Sequence, residues 1–173
     1  MTFERLRARG GALYDEAMKL YRESFPRHEQ REPLSQGEIM GREDYQFNVI
    51  REDGDWAGLL LCWETETFLY VEHFCVRPEL RGRGCGARAL ALLKERGKTV
   101  ILEIDPPVDE VSIRRKGFYE RAGFCENAFA HVHPPYHSDC AGHELVVLSC
   151  PGALTKDEYE RFGRYLRETV MGR

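Results

Sequence analysis

Apolar and polar positions alternate in ways that predict helices in the first part of the chain. Apolar residues recur at helical spacing between positions 11 and 25, and Pro26 ends that segment. The run 27–33 is mainly polar and predicts a loop. Ser35 is a candidate N-cap for a short helix that extends to Gly41.

A β-meander follows. Apolar and polar residues alternate over 45–49, and the pair Asp53-Gly54 is a strong signal for a hairpin turn. The returning strand, 56–63, is almost entirely apolar, which predicts that both of its faces are buried. A third strand is predicted over 68–76.

The second half of the chain predicts further strands and helices. They are a helix that ends near Arg96 before Gly97, a strand over 99–104, a helix over 111–122 before Gly123, and strands over 124–133 and 143–149 around a Pro-Pro loop. Thr155 and Glu158 form a capping box ahead of a last helix, whose apolar stripe is Tyr159, Phe162, Leu166 and Val170. The pattern predicts an α/β or α+β domain with a mixed sheet.

Composition narrows the class of protein. The 173 residues suit one domain, and the net charge of −4 argues against a general nucleic-acid binder. The N-terminus carries charges where a signal peptide is apolar, and the apolar run 57–63 is too short to span a membrane. We therefore expect a cytoplasmic protein without membrane or nucleic-acid partners. The six cysteines include no CxxC pair and are expected to be free thiols.

A segment rich in glycine and arginine, 76–90, predicts an anion site at a helix N-terminus. Free backbone N–H groups and the helix dipole favour phosphate there. Gly82, Gly84 and Ala87 satisfy the dinucleotide fingerprint, and Glu103 lies where that fold has a ribose-binding acid. The same letters fit a loop that binds the pyrophosphate of coenzyme A.

The context of the glycines favours coenzyme A. The residues 77–81, including Pro78, separate the strand from the glycines, whereas a dinucleotide fingerprint turns tightly off its strand. The elements upstream form an antiparallel meander rather than repeated βαβ units. Arg81 and Arg83 suit a ligand with several phosphate charges.

At this point the sequence resembles the GNAT superfamily of N-acetyltransferases. The signature of that family, Gln or Arg followed by two residues, Gly, one residue and Gly or Ala, matches RGRGCG at 81–86, after VRPEL at 76–80. A second signature matches GFYERAGF at 117–124, and the order of elements fits over 45–149. One position departs from the pattern, because Ser112 stands where the family often has an Asn that helps to hold coenzyme A.

The resemblance implies a single acyl-CoA N-acyltransferase domain over 1–173, with a mixed, mostly antiparallel sheet flanked by helices and a C-terminal helix. It implies acetyl transfer from acetyl-CoA, as cosubstrate, to a primary amine by direct attack, and no metal is expected. The cofactor-binding residues that it implies are Phe74, Cys75 and Val76 through their backbone, Arg81, Gly82, Arg83, Gly84, Cys85 and Gly86 in the loop, and Ser112 and Arg115 on the next helix.

Glu72 is the candidate general base. Strict alternation along 68–76 would place Tyr70, Glu72 and Phe74 on one face. Tyr70 and Glu72 match strand positions where members of the family often carry a base. Apolar neighbours would raise the pKa of the carboxyl. The alternative is a structural carboxylate paired with an arginine. The same alternation places His73 on the opposite face.

Tyr119 is the candidate general acid. Its hydroxyl is protonated at neutral pH and can donate to the thiolate that leaves, whose thiol has a pKa of about 8.5. On its own, a Phe-Tyr pair on a helix is typical of core packing, and the family spacing is what supports the catalytic role. Cys85, near a helix N-terminus and an arginine, could have a lowered pKa, but simple packing is the favoured interpretation.

Four histidines lie in a short segment, at positions 131, 133, 137 and 143, near Asp139 and Cys140. A metal site is the less favoured interpretation, and an acceptor-side loop in which Tyr136 or His137 touches substrate is preferred. The acceptor is expected to bind between 25–40 and 131–143.

The acceptor is expected to be a small-molecule amine rather than a protein, and a homodimer is left open. The acidic residues that would suit a cationic amine are Glu29, Glu32, Glu64, Glu66 and Glu72. The alternative function is a non-catalytic acyl-CoA-binding sensor or partner module on the same fold.

Overall fold

The protein folds around one mixed sheet. The structure is a computed structural model and describes residues 1–172. Its strands are β1 (Thr2–Leu6), β2 (Tyr45–Glu52), β3 (Asp55–Glu64), β4 (Phe68–Val76), β5 (Thr99–Ile104), β6 (Cys125–Glu126), β7 (Val132–His133), β8 (His143–Glu144) and β9 (Val146–Cys150). Seven of them form a sheet in the order β1-β2-β3-β4-β5-β9-β6, and β7 and β8 form a separate hairpin.

Within that sheet, β4 and β5 pair in parallel and the other neighbouring pairs are antiparallel. This is the mixed, mostly antiparallel sheet that was expected. It differs from a dinucleotide-binding fold, which is built from repeated parallel crossovers. The dinucleotide interpretation of the glycine segment is therefore wrong.

Helices cover both faces of the sheet. They are α1 (Ala12–Ser24), α2 (Pro33–Ile39), α3 (Cys85–Lys94), α4 (Glu110–Arg121) and α5 (Lys156–Tyr165), which continues as a wider turn over Leu166–Val170. One apolar cluster joins α1 and α5 to the sheet, and a second joins α3 and α4 to its other face. Within the described residues, no helix combines the length and apolarity that a membrane span requires.

Strand β3 is buried on both sides, as its apolar sequence predicts. Leu59, Leu61 and Trp63 belong to the cluster on the α1 and α5 face. Leu60 and Cys62 belong to the cluster on the α3 and α4 face. Because successive side chains in a strand point to opposite faces, a strand covered by helices on both sides needs apolar residues at every position.

Two segments differ from the sequence-based prediction. α2 begins at Pro33 with Glu32 as its N-cap, so the assignment of Ser35 as N-cap is wrong; proline is favoured in the first turn because it has no N–H to satisfy. The strand predicted over 124–133 is reduced to β6 and β7 at its ends. Between them Asn127 is buried, and its side-chain oxygen accepts a hydrogen bond from the backbone N–H of Leu154 at 2.6 Å.

Strand β1 was not predicted. It lies at the edge of the sheet, pairs antiparallel with β2 and is only partly buried, so it lacks a long apolar run. The hairpin predicted at Asp53-Gly54 is confirmed, since β2 and β3 pair on either side of it and both turn residues have positive φ angles of 52° and 89°.

A β-bulge interrupts the alternation of β4. Leu61 of β3 pairs with His73, whereas the next residue, Cys62, pairs with Val71, so Glu72 is an extra residue on β4. Glu72 and His73 consequently both point to the α1 side, where each contacts residues of that face. Phe74 packs with the α3 and α4 cluster. The predictions that Phe74 shares a face with Glu72 and that His73 points away from it are therefore wrong.

Beyond the bulge, β4 and β5 separate. Their parallel pairing runs from Phe68 and Thr99 to Val71 and Leu102 and then stops, although β4 continues to Val76. The edge of β4 that faces away from β3 is left without a strand partner over its last residues. This opening in the middle of the sheet is the place where a ligand can reach backbone N–H groups.

Gly58 holds the end of β4 close to β3. A Cβ at this position would overlap the carbonyl oxygen of Cys75 and come within 3.0 Å of the Cα of Val76. We expect Gly58→Ala to lower the free energy of unfolding by about 1–3 kcal/mol through overpacking. Urea denaturation checks this, with Gly41→Ala as the control because a Cβ there meets nothing within 4 Å. Equal stabilities of the two variants would contradict the prediction.

Candidate active site

A cavity of about 900 Å³ lies at the opening between β4 and β5. Charged side chains of both signs line it. The residues that bring positive charge are Arg81, Arg114, Arg115 and Arg121, and those that bring carboxylates are Glu29, Glu72, Glu103 and Asp105. A cavity of this size can hold a ligand of substantial length.

The predicted glycine loop forms one wall of the cavity. Gly82 and Gly84 have positive φ angles of 76° and 78°, a conformation that other residues rarely adopt, and Gly84 is the N-cap of α3. The first N–H groups of α3 have no intrahelical acceptor and are available to an anion. Arg81 lines the cavity, and its Nε donates to the carbonyl oxygen of Val76 at 3.2 Å.

Internal contacts hold the loop in place. Arg88 donates to Glu52 at 2.6 Å and to the carbonyl oxygen of Arg83 at 3.1 Å. Cys85 donates to Glu52 at 2.7 Å. That hydrogen bond, followed by burial, raises the pKa of the Cys85 thiol, so the idea that its pKa is lowered is wrong. Cys85 is a buried packing residue, and all six cysteines are free.

The cofactor-binding residues predicted from the family resemblance do not all reach the cavity. It is lined by Phe74, Cys75, Val76, Arg81, Gly82, Gly84, Cys85, Gly86 and Arg115. Arg83 and Ser112 are not among the lining residues. Ser112 is buried, and its hydroxyl lies 3.1 Å from both the N and the O atom of Asp109 in the capping box of α4. The side chain is therefore used to start the helix.

Glu72 is buried in a network that occupies both of its oxygens. Arg31 donates to Oε1 at 2.6 Å, Tyr136 donates to the same oxygen at 2.8 Å, and the Trp63 indole donates to Oε2 at 2.8 Å. Burial alone would raise the pKa of Glu72, but Arg31 and these donors hold it at about 2. The expected rise in pKa is wrong. The contacts are those of a structural carboxylate paired with an arginine, the alternative considered from the sequence.

His73, which the sequence placed on the other face, lies beside Glu72 and lines the cavity. Its Nε2 is 2.8 Å from the carbonyl oxygen of Glu29 and 3.2 Å from the Tyr21 hydroxyl. Its Nδ1 is buried without a hydrogen-bond partner among the described residues. Burial lowers the pKa of His73, so the ring is neutral near pH 7. Only the bulge, which no sequence signal marks, brings it here.

Tyr119 of α4 also lines the cavity. Its ring packs edge-on against Phe118 and Phe124, and it is buried. Burial raises the pKa of its hydroxyl to about 12, so the group is protonated at neutral pH. This is the protonation state that a proton donor requires.

Glu103 marks the acidic end of the cavity. It accepts hydrogen bonds from Tyr70 and His131, and its side chain is 5 % exposed. Burial would raise its pKa, but His133 and His131 lower it below its ordinary value. His133 lines the cavity, and its buried Nε2 has no hydrogen-bond partner among the described residues and lies 4.0 Å from Glu103. The sequence had linked Glu103 only to the rejected dinucleotide fold.

The remaining histidines have separate places. His137 lies between the two acceptor-side segments, with Nδ1 2.7 Å from a carboxylate oxygen of Glu32 and Nε2 2.9 Å from the carbonyl oxygen of Arg27. It does not line the cavity, whereas Tyr136 does. His28, Glu29 and His143 each place one side-chain nitrogen or oxygen atom within 4.8 Å of the others at the cavity. His28 is exposed, and the expectation that the protein needs no metal stays a prediction.

Replacing Glu72 with glutamine tests the buried ion pair. We expect Glu72→Gln to lower the free energy of unfolding at pH 7 by about 3–5 kcal/mol, because Arg31 would keep a buried charge without a counter-ion. Glu66→Gln, at an exposed turn, is the control. Because the folded pKa of Glu72 is about 2, its stabilisation is fully present above the unfolded value of about 4.3 and is lost as the pH falls towards 2.

Urea denaturation between pH 3 and 8 measures this effect. The stability of the wild-type protein should fall more steeply below about pH 4.3 than that of Glu72→Gln, since only the wild type has this carboxylate to protonate. Parallel stability curves for the two proteins would show that the ion pair does not stabilise the fold.

Comparison with known proteins agrees with this geometry. A Bacteroides thetaiotaomicron protein described as an acetyltransferase of the GNAT family has a similar structure, with a TM-score of 0.92, 30% sequence identity, and coverage of 100% of this chain and 99% of the other. A Bacillus subtilis acetyltransferase solved in complex with CoA shares the fold, with a TM-score of 0.57 and 17% identity over 85% of this chain and 95% of its own.

Two sequence comparisons point the same way. The Bacillus subtilis (strain 168) protein YjbC, which is named as an acetyltransferase, is 31% identical over 80 residues, or 44% of this chain. The matched region spans 41% of the length of that relative. The sequence profile of the Acetyltransferase (GNAT) family matches residues 11–124. The chain therefore belongs to the GNAT family of acetyltransferases.

Proposed function

We propose that the protein transfers the acetyl group of acetyl-CoA to a primary amine of a cationic small molecule by direct attack. The observation that carries this proposal is one continuous cavity, with the glycine loop and Arg81 at one end, beyond β4, and Glu72 and Glu103 at the other, on β4 and β5. The first end suits the pyrophosphate of the donor, and the second suits a positively charged acceptor.

The donor end fits coenzyme A on structural grounds. Gly84 leaves the N-terminus of α3 open to phosphate oxygens, and Arg81 adds a cation that can pair with them. Phe74 to Val76 run along the cavity past the point where β4 loses its partner β5. Their backbone would hold the pantetheine and the acetyl carbonyl. The CoA complex of the Bacillus subtilis acetyltransferase with the same fold supports this placement.

The acceptor end favours a cation because two of its carboxylates, Glu29 and Glu103, have histidines rather than Lys or Arg as their ion-pair partners. Arg31 pairs with Glu72, and Arg115 pairs with Asp105 at 2.5 Å. Glu103 is instead contacted by a tyrosine and by histidines. The pKa of Glu29 is raised, first by burial and then by the negative charge of Asp105. An ammonium group on the acceptor would relieve this excess of negative charge.

Acetyl-CoA supplies an acetyl group held as a thioester. Tyr119 gives a proton at the sulfur as the C–S bond breaks, which suits a hydroxyl whose pKa of about 12 keeps it protonated. The assignment of Glu72 as general base stays a prediction, and its three hydrogen bonds favour a role in holding Arg31 and Tyr136 in place.

The second candidate function is a non-catalytic acyl-CoA-binding sensor. The observation that favours it is the set of three hydrogen bonds by which protein donors occupy both oxygens of Glu72. The acidic end of the cavity favours the enzyme, because a sensor of acyl-CoA has no need of an acceptor site. Turnover separates the two functions.

Arg81→Ala should weaken acetyl-CoA binding about tenfold by removing one charge-assisted phosphate contact. Calorimetric titration measures this, and the loss should shrink as the salt concentration rises. Arg164→Ala, on α5 and outside the cavity, is the matched control. Failure of the wild-type protein to bind acetyl-CoA, or tight binding of NADH instead, would contradict the donor assignment.

Tyr119→Phe should lower kcat for acetyl transfer by about 10²-fold or more, with an unchanged Kd for acetyl-CoA, because it removes the proton donor and keeps the ring. Release of CoA is followed by chromatography with a panel of amines: diamines of increasing length, an aminoglycoside, uncharged monoamines and an N-terminal peptide. Cationic small molecules should be the best substrates. Tight acetyl-CoA binding without transfer to any of these amines would favour the sensor.

A further inference from the structure

Attack by an amine on a thioester needs a group that takes a proton from nitrogen. Such a group must present an unprotonated lone pair to the cavity at neutral pH. Glu72 meets this requirement poorly, because both of its oxygens accept hydrogen bonds from protein donors and its pKa is about 2. This inference rests on the proposed acetyl transfer, and it concerns which side chain accepts the proton.

The hydrogen bonds of His73 fix its tautomer. The carbonyl oxygen of Glu29, 2.8 Å from Nε2, can only accept a hydrogen bond, so Nε2 carries the hydrogen of the ring. In a neutral imidazole the other nitrogen, Nδ1, then carries the lone pair. That atom is buried and has no hydrogen-bond partner among the described residues. A buried acceptor without a donor is costly, and a ligand N–H in the adjoining cavity would satisfy it.

The surroundings keep this ring neutral. Burial is the main cause of its lowered pKa, and Arg31 and His133 act in the same direction. Glu72 and the hydrogen bond to the carbonyl of Glu29 oppose the shift without cancelling it. The other titratable groups near the ring are the Tyr21 hydroxyl on α1 and Tyr136, whose ring centroid is 6.0 Å away. Both have raised pKa values, owing first to burial, and stay uncharged.

We propose that Nδ1 of His73 is the proton acceptor for the attacking amine. The N–C bond forms as the neutral amine attacks the acetyl carbon, and the C–S bond breaks. The proton of the amine moves to Nδ1, and Tyr119 supplies a proton to the sulfur. Loss of a proton from the His73 ring to water and return of one to Tyr119 restore both residues, so the exchange balances with no further reactant.

The bulge at Glu72 gives this assignment its structural basis. Without the extra residue, His73 would point to the α3 and α4 face and Glu72 alone would stand at the cavity on the α1 side. Glu72 and Arg31 instead act as positioning residues, because their ion pair anchors the strand and the segment that carries the Glu29 carbonyl.

His73→Gln is the discriminating variant. Its side-chain amide can still donate to the carbonyl of Glu29 but has no group at the place of Nδ1. We expect kcat to fall about 10²-fold or more, with an unchanged Kd for acetyl-CoA and an unchanged melting temperature. Ser149→Ala, which removes a buried, hydrogen-bonded hydroxyl outside the cavity, controls for a purely structural effect.

The pH profile adds a readout that a structural role would not change. Wild-type kcat/KM should fall as the pH drops through the lowered pKa of His73, below the ordinary value of about 6.5. His73→Gln should lose this limb, and Ser149→Ala should keep it. Nitrogen NMR of the wild-type protein at pH 7 should find the His73 hydrogen on Nε2 and none on Nδ1.

Three results would overturn the assignment. They are a kcat of His73→Gln within threefold of wild type, an acid limb that survives in this variant, and an NMR spectrum with the hydrogen on Nδ1. A wild-type protein that binds acetyl-CoA but acetylates no amine would refute the proposed function itself, and the proton-acceptor role with it. That failure is seen in the wild type alone and is thus distinct from failure of the assignment.

Discussion

The ion pair between Arg31 and Glu72 is the contact on which the site depends. Both side chains are almost fully buried, at 4 % and 0 % exposure, and their closest atoms are 2.6 Å apart. Arg31 also donates to the carbonyl oxygen of Val170 at 2.9 Å, so one guanidinium joins the 27–32 segment, β4 and the end of the C-terminal helix. Two charges removed from water need such a complete set of partners.

This anchor and the neighbouring bulge give two adjacent side chains different functions. Glu72 is held as a carboxylate of pKa about 2 by three donors. His73 is held as a neutral ring by burial and by one backbone carbonyl. Both pKa values are lowered, but with opposite consequences for charge: Glu72 is ionised at neutral pH, whereas His73 is uncharged. Perturbed pKa values of this kind cluster at functional sites. Here one group stabilises the frame, and the other keeps a free lone pair.

The cavity itself follows from the topology of the sheet. A parallel pair in an otherwise antiparallel sheet needs a crossover, and α3 provides it between β4 and β5. The crossover places the N-terminus of α3 beside the opening where the two strands separate. A phosphate site and a strand edge therefore lie along one cavity. The segments around Glu29 and His133 close its other end with carboxylates and imidazoles.

Much of the architecture could be predicted from the sequence because it depends on local patterns. The apolar run of β3, the glycine loop before α3 and the capping box at Thr155 each have a signature within a few residues, and all three are confirmed. The family signatures at 81–86 and 117–124 likewise identified the acetyltransferase family, which the comparisons confirm.

The tertiary structure alone decided the protonation states and the faces of the residues at the cavity. The register of β3 against β4 put His73 beside Glu72, and no run of letters in β4 marks a bulge. Arg31, the ion-pair partner of Glu72, is 41 residues away in the chain. The burial of Glu72 could therefore be inferred from the sequence, but the direction of its pKa shift could not. Local periodicity specifies elements, whereas charge states depend on long-range neighbours, and these exist only once the chain has folded.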